Sequence, residues 1–307
     1  MPERLFAGID VGGTHLRLGL VTENGELARD AIFPSSSISD TNGSTPARIL
    51  KYIQLFLGQE IANIAAMCIG FPSVISKDRR IIVQTPNIAG LDNIPFAEMA
   101  EKEFSLPVFI EKDVNLLLIH DVATYNLSIK DPILGFYIGT GIGNAIMLNG
   151  DIMIGASGSA GELGHVPILG NKIACPCGNI GCVETIASGK ALVNYIKSTY
   201  PNMLIDDFFT QHSQDEFVKH FIELLAITIS TEMNIFDPAV AILGGGVILM
   251  KDFPREWLIS EIREHLRYPY PKNSVKFLFS EQTKNAGVFG AARWAKHLLE
   301  RKQQSTI

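Results

Sequence analysis

The chain has 307 residues, 47% of them hydrophobic, and a formal net charge of −6. That length can bury a substantial core and suits two domains, while the acidic balance offers no basic field to hold nucleic acid or an anionic membrane surface. No apolar run approaches the roughly 18 residues of a membrane span. Met1-Pro2-Glu3-Arg4 leads directly into a strand-like segment, without a signal peptide's apolar region. Four cysteines, with Cys68 standing alone, do not make a secreted disulfide framework. The expectation is a cytoplasmic protein with reduced thiols that binds neither nucleic acid nor membrane.

Leu5 to Val11 reads as a buried strand, Gly12-Gly13-Thr14 breaks it, and Leu16 to Val21 reads as a second strand followed by the turn signal Asn24-Gly25. The glycines therefore join strand to strand. Rossmann and P-loop glycines join strand to helix, and no GKS or GKT lysine follows here. Ala47 to Gln59 reads as a helix, Ile64 to Gly70 as a strand, Phe96 to Phe104 as a helix, Val108 to Ile110 as a strand and Leu116 to Tyr125 as a helix.

The glycine pattern then returns. Ile133 to Ile138 is strand-like, Gly139-Thr140-Gly141-Ile142-Gly143 turns, Ala145 to Leu148 is strand-like, and Asn149-Gly150 turns again. Each glycine turn is either an ordinary tight hairpin or a nest of backbone N–H groups that holds phosphate oxygens. The repetition, with hydroxyls at Thr14 and Thr140, favours phosphate. Two such cradles, one from each half of the chain, would clasp a nucleotide between similar domains.

Farther on, Glu216 to Phe236 has helical periodicity and ends at Asp237-Pro238. Ala239 to Leu243 reads as a buried strand, and Gly244-Gly245-Gly246 allows close approach, either by an adenine ring or by packed chain. Ala286 to Lys302 reads as a C-terminal helix that packs back on the first domain. The domain junction falls just after the helix that opens near Asn115, giving 1–118 plus 290–307 as the smaller α/β domain and 119–289 as the larger.

Three of the four cysteines, Cys175, Cys177 and Cys182, fall within eight residues, and His165 stands ten positions upstream. One imidazole and three thiolates fill a closed tetrahedral zinc site. Glu162 and Glu184 bracket the cluster, so a metal knot there would stiffen a pocket for a polyhydroxylated ligand. In Glu111-Lys112-Asp113-Val114-Asn115, Asp113 is placed either to take a proton from a sugar hydroxyl or to cap the following helix. Asp10 could orient hydrated Mg²⁺ or brace its turn. Asn87, in Thr85-Pro86-Asn87, could bond sugar hydroxyls, and Gly70-Phe71-Pro72-Ser73 could form a pocket wall. Both also read as ordinary loops.

Asp10-Val-Gly-Gly-Thr-His-Leu-Arg17, Glu111-Lys-Asp-Val-Asn115, Gly139-Thr-Gly-Ile-Gly143, Glu162-Leu-Gly-His165 and Cys175-Pro-Cys-Gly-Asn-Ile-Gly-Cys-Val-Glu184 occur in the order found in the ROK family. From residue 5 to about residue 295 the chain resembles that family, which comprises bacterial sugar kinases and related repressors. The resemblance implies a two-domain, actin-like (ribonuclease-H-like) α/β ATPase fold with an interdomain cleft. It implies ATP on Gly8, Asp10, Gly12, Gly13, Thr14 and His15 of the first turn. The second turn would contribute Gly139, Thr140, Gly141, Ile142, Gly143 and Asn144, and the third Gly245 and Gly246, with Mg²⁺ between the phosphates.

By the same resemblance Asp113 is the general base for a hexose 6-hydroxyl, and Asn87, Asn115, Glu162, His165 and Glu184 line the hexose pocket. Structural Zn²⁺ sits on His165, Cys175, Cys177 and Cys182. Overall likeness implies D-allose as the hexose and a homodimer as the assembly. Lys112 and Val114 depart from the usual Glu-Asn-Asp-Ala-Asn string, and Asn144 and Ala145 stand where glycines often follow. The alternatives are a glucokinase, an N-acetylmannosamine kinase, or a sugar-responsive repressor. The repressor reading is disfavoured because the first phosphate motif begins at residue 10, leaving no room before it for a helix-turn-helix. A noncatalytic sugar-binding protein is the remaining alternative.

Overall fold

The computed structural model describes residues 4–39, 44–86, 88–281 and 283–304. The chain divides into two compact units, one of Met1–Leu127, Ile154–Ala160 and Thr283–Ile307, the other of Ser128–Met153 and Gly161–Gln282. In the first, β1 (Leu5–Val11), β2 (His15–Thr22) and β3 (Leu27–Pro34) form an antiparallel meander. After α1 (Thr45–Leu57) comes β4 (Ile64–Phe71), and after the small hairpin β5 (Val74–Ile75) and β6 (Ile82–Gln84) come α2 (Phe96–Phe104), β7 (Val108–Lys112) and α3 (Asp113–Thr124). β4 runs parallel to β1 and β7 parallel to β4, so the sheet order is β3-β2-β1-β4-β7. β1 is buried along nearly its whole length, as a central strand covered on both faces requires.

The second unit repeats this plan. β8 (Ile133–Ile138) and β9 (Ile142–Leu148) form the glycine hairpin, and β10 (Asp151–Ile152) extends it. Then come α4 (Glu184–Ala187), α5 (Gly189–Thr199), α6 (Phe208–His212) and α7 (Glu216–Phe236). β11 (Val240–Gly244), α8 (Arg255–His265) and β12 (Lys276–Phe279) complete it. The sheet order β10-β9-β8-β11-β12, with β11 parallel to β8 and β12 parallel to β11, is that of the first sheet strand for strand. α7 stops where Asp237 turns to φ +45° ahead of Pro238, which cannot continue a helix.

The unit boundaries differ from those read off the sequence. α3 opens at Asp113 and runs unbroken to Thr124, so a cut at 118 would split it, and the first unit continues to Leu127. Its last segment begins at Thr283, just before α9 (Ala286–Gln304), and residues Ile154–Ala160 also pack with it. Among the described residues no helix is long and apolar enough to cross a membrane.

α9 lies against β1 and α3 at distances that only glycine allows. A Cβ on Gly8 would stand 2.0 Å from the Val288 carbonyl oxygen, and one on Gly290 would stand 1.9 Å from that of Leu116. Gly290→Ala therefore sets two effects against each other. Alanine gains up to about 1 kcal/mol in helix propensity, but backbone against backbone cannot yield without moving the helix, a cost of about 1–3 kcal/mol for an overpacked core. The clash is expected to win, and urea unfolding should show a lower midpoint for Gly290→Ala. A midpoint above that of the parent would mean that α9 does not sit this close to α3.

Candidate functional site

The first glycine turn joins β1 to β2. Gly12 N–H donates to the His15 carbonyl at 2.9 Å, and Ser35, at the end of β3, secures the turn through Oγ to the Gly12 carbonyl at 2.6 Å and N–H to the Thr14 carbonyl at 2.9 Å. Gly13 and Thr14 are exposed at its tip and His15 is half-buried, so the tip can meet a ligand. Asp10 is the penultimate residue of β1. Burial raises its carboxyl, and the Arg17 guanidinium, 3.5 Å away on the adjacent strand, only partly opposes this. Its side chain still keeps 18% of its surface exposed. An acid that is costly to ionise suits a cation, and Mg²⁺ fits that donor. Gly8 lies mid-strand beneath α9, where its contact is with the Val288 carbonyl.

The β7–α3 corner carries Asp113. Lys112 has the extended backbone of a cap residue, so Asp113 falls at the first helical position, where negative charge is favoured by the unpaired amides and the helix dipole. Its Oδ1 accepts from the Val114 N–H at 2.8 Å, and the side chain is partly exposed. The cap alternative raised by the sequence thus falls on its neighbour. Asn115, expected on the sugar, is only 3% exposed, and its Nδ2 donates to Glu111 Oε1 at 2.8 Å. Asn87 lies outside the described residues.

In the second unit, the turn from Gly139 to Gly143 has Thr140 exposed, with Gly139 N–H bonded to the Gly141 carbonyl at 2.9 Å. Glu184, at the start of α4, lies on this turn. Its Oε2 accepts the Ile142 N–H at 2.8 Å, and a Cβ on Gly141 would approach that oxygen to 2.3 Å. The sequence assigned Glu184 to the hexose and Ile142 to the nucleotide; the fold joins the two. Asn144 points inward, 1% exposed, donating from Nδ2 to the Gly135 carbonyl and to Glu232 Oε2 at 3.2 and 2.9 Å. Burial pushes the Glu232 carboxyl up to about 7, with the Asn144 amide pulling the other way. Gly245, at φ +92°, packs on the Ile138 backbone, which accounts for that glycine, while no atom would meet a Cβ on Gly246. Of the three glycines 244–246, only Gly246 therefore has open space beside it.

The segment from Gly161 to Val183 holds no helix or strand beyond one 3₁₀ turn at Leu163–His165 and isolated bridges such as Pro167↔Cys182. Yet His165, Cys175, Cys177 and Cys182 bring their ligand atoms within 4.8 Å of one another. Cys177 and Cys182 sulfurs are 3.7 Å apart, and Cys175 Sγ is 3.6 Å from His165 Nδ1. Tetrahedral zinc, with bonds of about 2.3 Å to sulfur, separates its ligands by about 3.8 Å, so the set fits the ion. Burial raises the Cys175 thiol and pushes Cys182 up to about 12; a divalent cation supplies the charge that lets buried thiols ionise together. His165 turns Nε2 toward Glu162, 3.7 Å from Oε2, the arrangement by which a carboxylate orients a ligating imidazole.

Two acids and one base escaped the sequence reading. Glu232 lies in a long amphipathic helix, where one acid gives no sign of facing inward. Arg79 belongs to Lys77-Asp78-Arg79-Arg80, which looks like a solvated charge run, but its guanidinium lies 3.1 Å from buried Glu111. Glu111 itself was legible only as part of the string around Asp113.

Comparison with known proteins places these features. The ROK family profile matches residues 6–298. A glucokinase of Thermotoga maritima is 26% identical over 97% of this chain and 99% of its own length. The xylose repressor of Bacillus subtilis is 28% identical over 92% of this chain and 74% of its own. A ROK family glucokinase from Streptomyces griseus, solved in complex with glucose and AMPPNP, shares the fold with a TM-score of 0.77 over 95% of this chain and 99% of that one, at 23% identity.

Metal analysis of protein purified without chelator should find about one zinc per chain, and Cys177→Ser should lose it and melt at a lower temperature. Zinc-free protein whose melting is indifferent to chelator would rule the site out. For Glu232 the folded carboxyl titrates near 7, above its unfolded value of 4.5. Burying it therefore costs nothing below pH 4.5, and the cost grows as pH rises to 7. Glu232→Gln is expected to stabilise the protein above pH 7 by up to about 3 kcal/mol, with the gain fading toward pH 4.5. A gain independent of pH in urea unfolding would contradict this.

Proposed function

We propose, from the premise that this chain belongs to the ROK family, that it is an ATP-dependent hexose kinase acting on the 6-hydroxyl, with D-allose as its preferred sugar. The observation that carries the reading is the placing of Asp113: a partly exposed carboxylate at the first residue of α3, in a corner whose cap position is filled by Lys112. A general base must be held still and must remain reachable, and this one is both.

The chemistry asked of the protein is mostly positioning and electrostatics. Asp113 accepts the proton of the hydroxyl as the oxygen attacks phosphorus. Exposed amides at Gly13 and Thr14, and those of the Gly139–Gly143 turn left open beside Glu184, hold phosphate oxygens. Mg²⁺, when bound, neutralises charge on the phosphates, and Asp10 is the residue that would orient it. Glu162 and His165 present acceptor and donor groups to sugar hydroxyls, with zinc fixing the loop that bears them. Asn115 acts through Glu111 at the corner. Allose and glucose differ in the configuration at one hydroxyl, so preference rests on placed hydrogen bonds. The departures at Lys112 and Val114 support a sugar other than glucose.

The test is ADP release across a panel of aldohexoses and N-acetylhexosamines. D-Allose is expected to give the highest kcat/KM, and Asp113→Asn to lower kcat by roughly 10²–10⁴-fold while hexose binding survives. Near-parent turnover in that variant would remove Asp113 from the role. Absence of hexose-dependent ADP release together with a sugar-sensitive DNA gel shift would instead establish the activity carried by the family's repressors.

A further inference from the structure

Two donors and a counter-charge converge on one oxygen of Glu111, a carboxylate that touches no reacting group in the chemistry above. Glu111 is 1% exposed, and its Oε1 accepts from the Lys112 N–H and from Asn115 Nδ2, both at 2.8 Å. Lys112 is the cap residue of α3 and Asn115 lies in its first turn, so this single oxygen ties both sides of the corner between which Asp113 stands. The counter-charge comes from a distant turn. Arg79 Nη2 lies 3.1 Å from the same oxygen, as an ion pair and not an aligned hydrogen bond. Arg79 Nη1 donates to the carbonyls of Gly158 at 3.3 Å and Ile75 at 3.4 Å.

Two further features show that the arrangement is held against cost. Arg79 occupies φ +56°, a conformation costly for a residue with a side chain. Gly158 approaches so closely that a Cβ there would lie 2.1 Å from the Ile75 carbonyl oxygen. Lys112, a buried residue, anchors the same segment by donating from Nζ to the Ala160 carbonyl at 3.1 Å. A buried ion pair is a poor device for stability, since well-packed apolar residues usually serve as well or better. Its use here points to geometry.

We propose that Arg79 is a positioning residue: paired with buried Glu111 and bonded to Gly158, it fixes the β7–α3 corner in the conformation that presents Asp113 to the hydroxyl. The proposal rests on the reading of Asp113 as proton acceptor. Arg79 acts through Glu111, because its own side chain is only 12% exposed.

The experiment compares the parent with Arg79→Met, Glu111→Gln and the double variant Arg79→Met/Glu111→Gln, reading hexose-dependent ADP release and hydrogen exchange of the amides at 112–116. Arg79→Met should lower kcat by roughly 10–100-fold, the scale of a small misplacement of a reacting group, with hexose KM within about threefold. Exchange at 112–116 should quicken while that of β8 and β9 stays unchanged. The double variant should recover most of the lost kcat, because a neutral amide needs no counter-charge and still accepts the two hydrogen bonds. Unchanged kcat and exchange in Arg79→Met would overturn the proposal, as would a loss carried undiminished into the double variant. Should Arg79→Met fail to fold, Arg79→Lys takes its place: it keeps the charge but not the forked reach, so lowered kcat with quickened exchange supports the proposal, and parent values of both overturn it. If the parent itself releases no ADP with any hexose, the reading of Asp113 fails on that ground alone, and the exchange data still decide whether Arg79 holds the corner.

Discussion

The convergence of one imidazole and three sulfurs on a volume the size of a single ion is the constraint on which the irregular part of the second unit depends. The segment that carries Glu162 and His165 and leads to Glu184 has almost no regular backbone pairing. Its apolar anchors lie near its ends, at Leu163, Ile168 and Val183, while Leu169, Ile173 and Ile180 between them point outward, with Leu169 wholly exposed. A loop of this length with few ladder bonds and no apolar interior in its middle is costly to order. Metal ligation by the four residues would supply that stability locally, as in small domains that fold on binding zinc. The fixed shape then passes to the carboxylates at its ends: Glu162 lies against the ligand histidine, and Glu184 opens the helix that follows Cys182.

Glycine plays a different part in each unit's sheet. The same strand order is built twice around an antiparallel hairpin joined by glycines, followed by strands added in parallel. In the first hairpin the turn is braced from the end of β3 by Ser35 and leaves its tip exposed. In the second, one amide is already taken by Glu184. A carboxylate on a turn limits how much negative charge can settle there, so the two turns are similar in backbone but differ in the charge beside their amides. Elsewhere glycine serves packing: Gly8 and Gly290 allow α9 to seat directly on backbone, and Gly245 does the same against β8.

The acid at the β7–α3 corner, in the role proposed for it, shows how a reactive group is kept usable. Asp113 is partly exposed, and the rigidity lies two residues earlier, in the almost wholly buried carboxylate of Glu111. Dividing the tasks this way avoids a conflict. A group that must gain and lose a proton is best left partly solvated, while a group that must not move is best enclosed and fully bonded.

The sequence by itself determined the elements whose cause is local. β1, β8, α2 and α7 lie where apolar periodicity and their Gly, Asn and Pro punctuation place them, because a buried strand or an amphipathic helix writes its own period into the chain. It also determined the four metal-ligand candidates, since few other roles gather three cysteines and a histidine so closely. Tertiary structure alone decided where side chains point once distant segments meet. It turned Asn144 inward to Glu232, bound Asn115 to Glu111, set Glu184 on the glycine turn, and brought Arg79 from a surface-like charge run to a buried carboxylate. Those pairs span up to 88 positions. Nothing in the spacing of residues along a strand or helix encodes which partner a buried polar group will find; that is fixed only when burial removes water and each group must bond to whatever the fold has placed beside it.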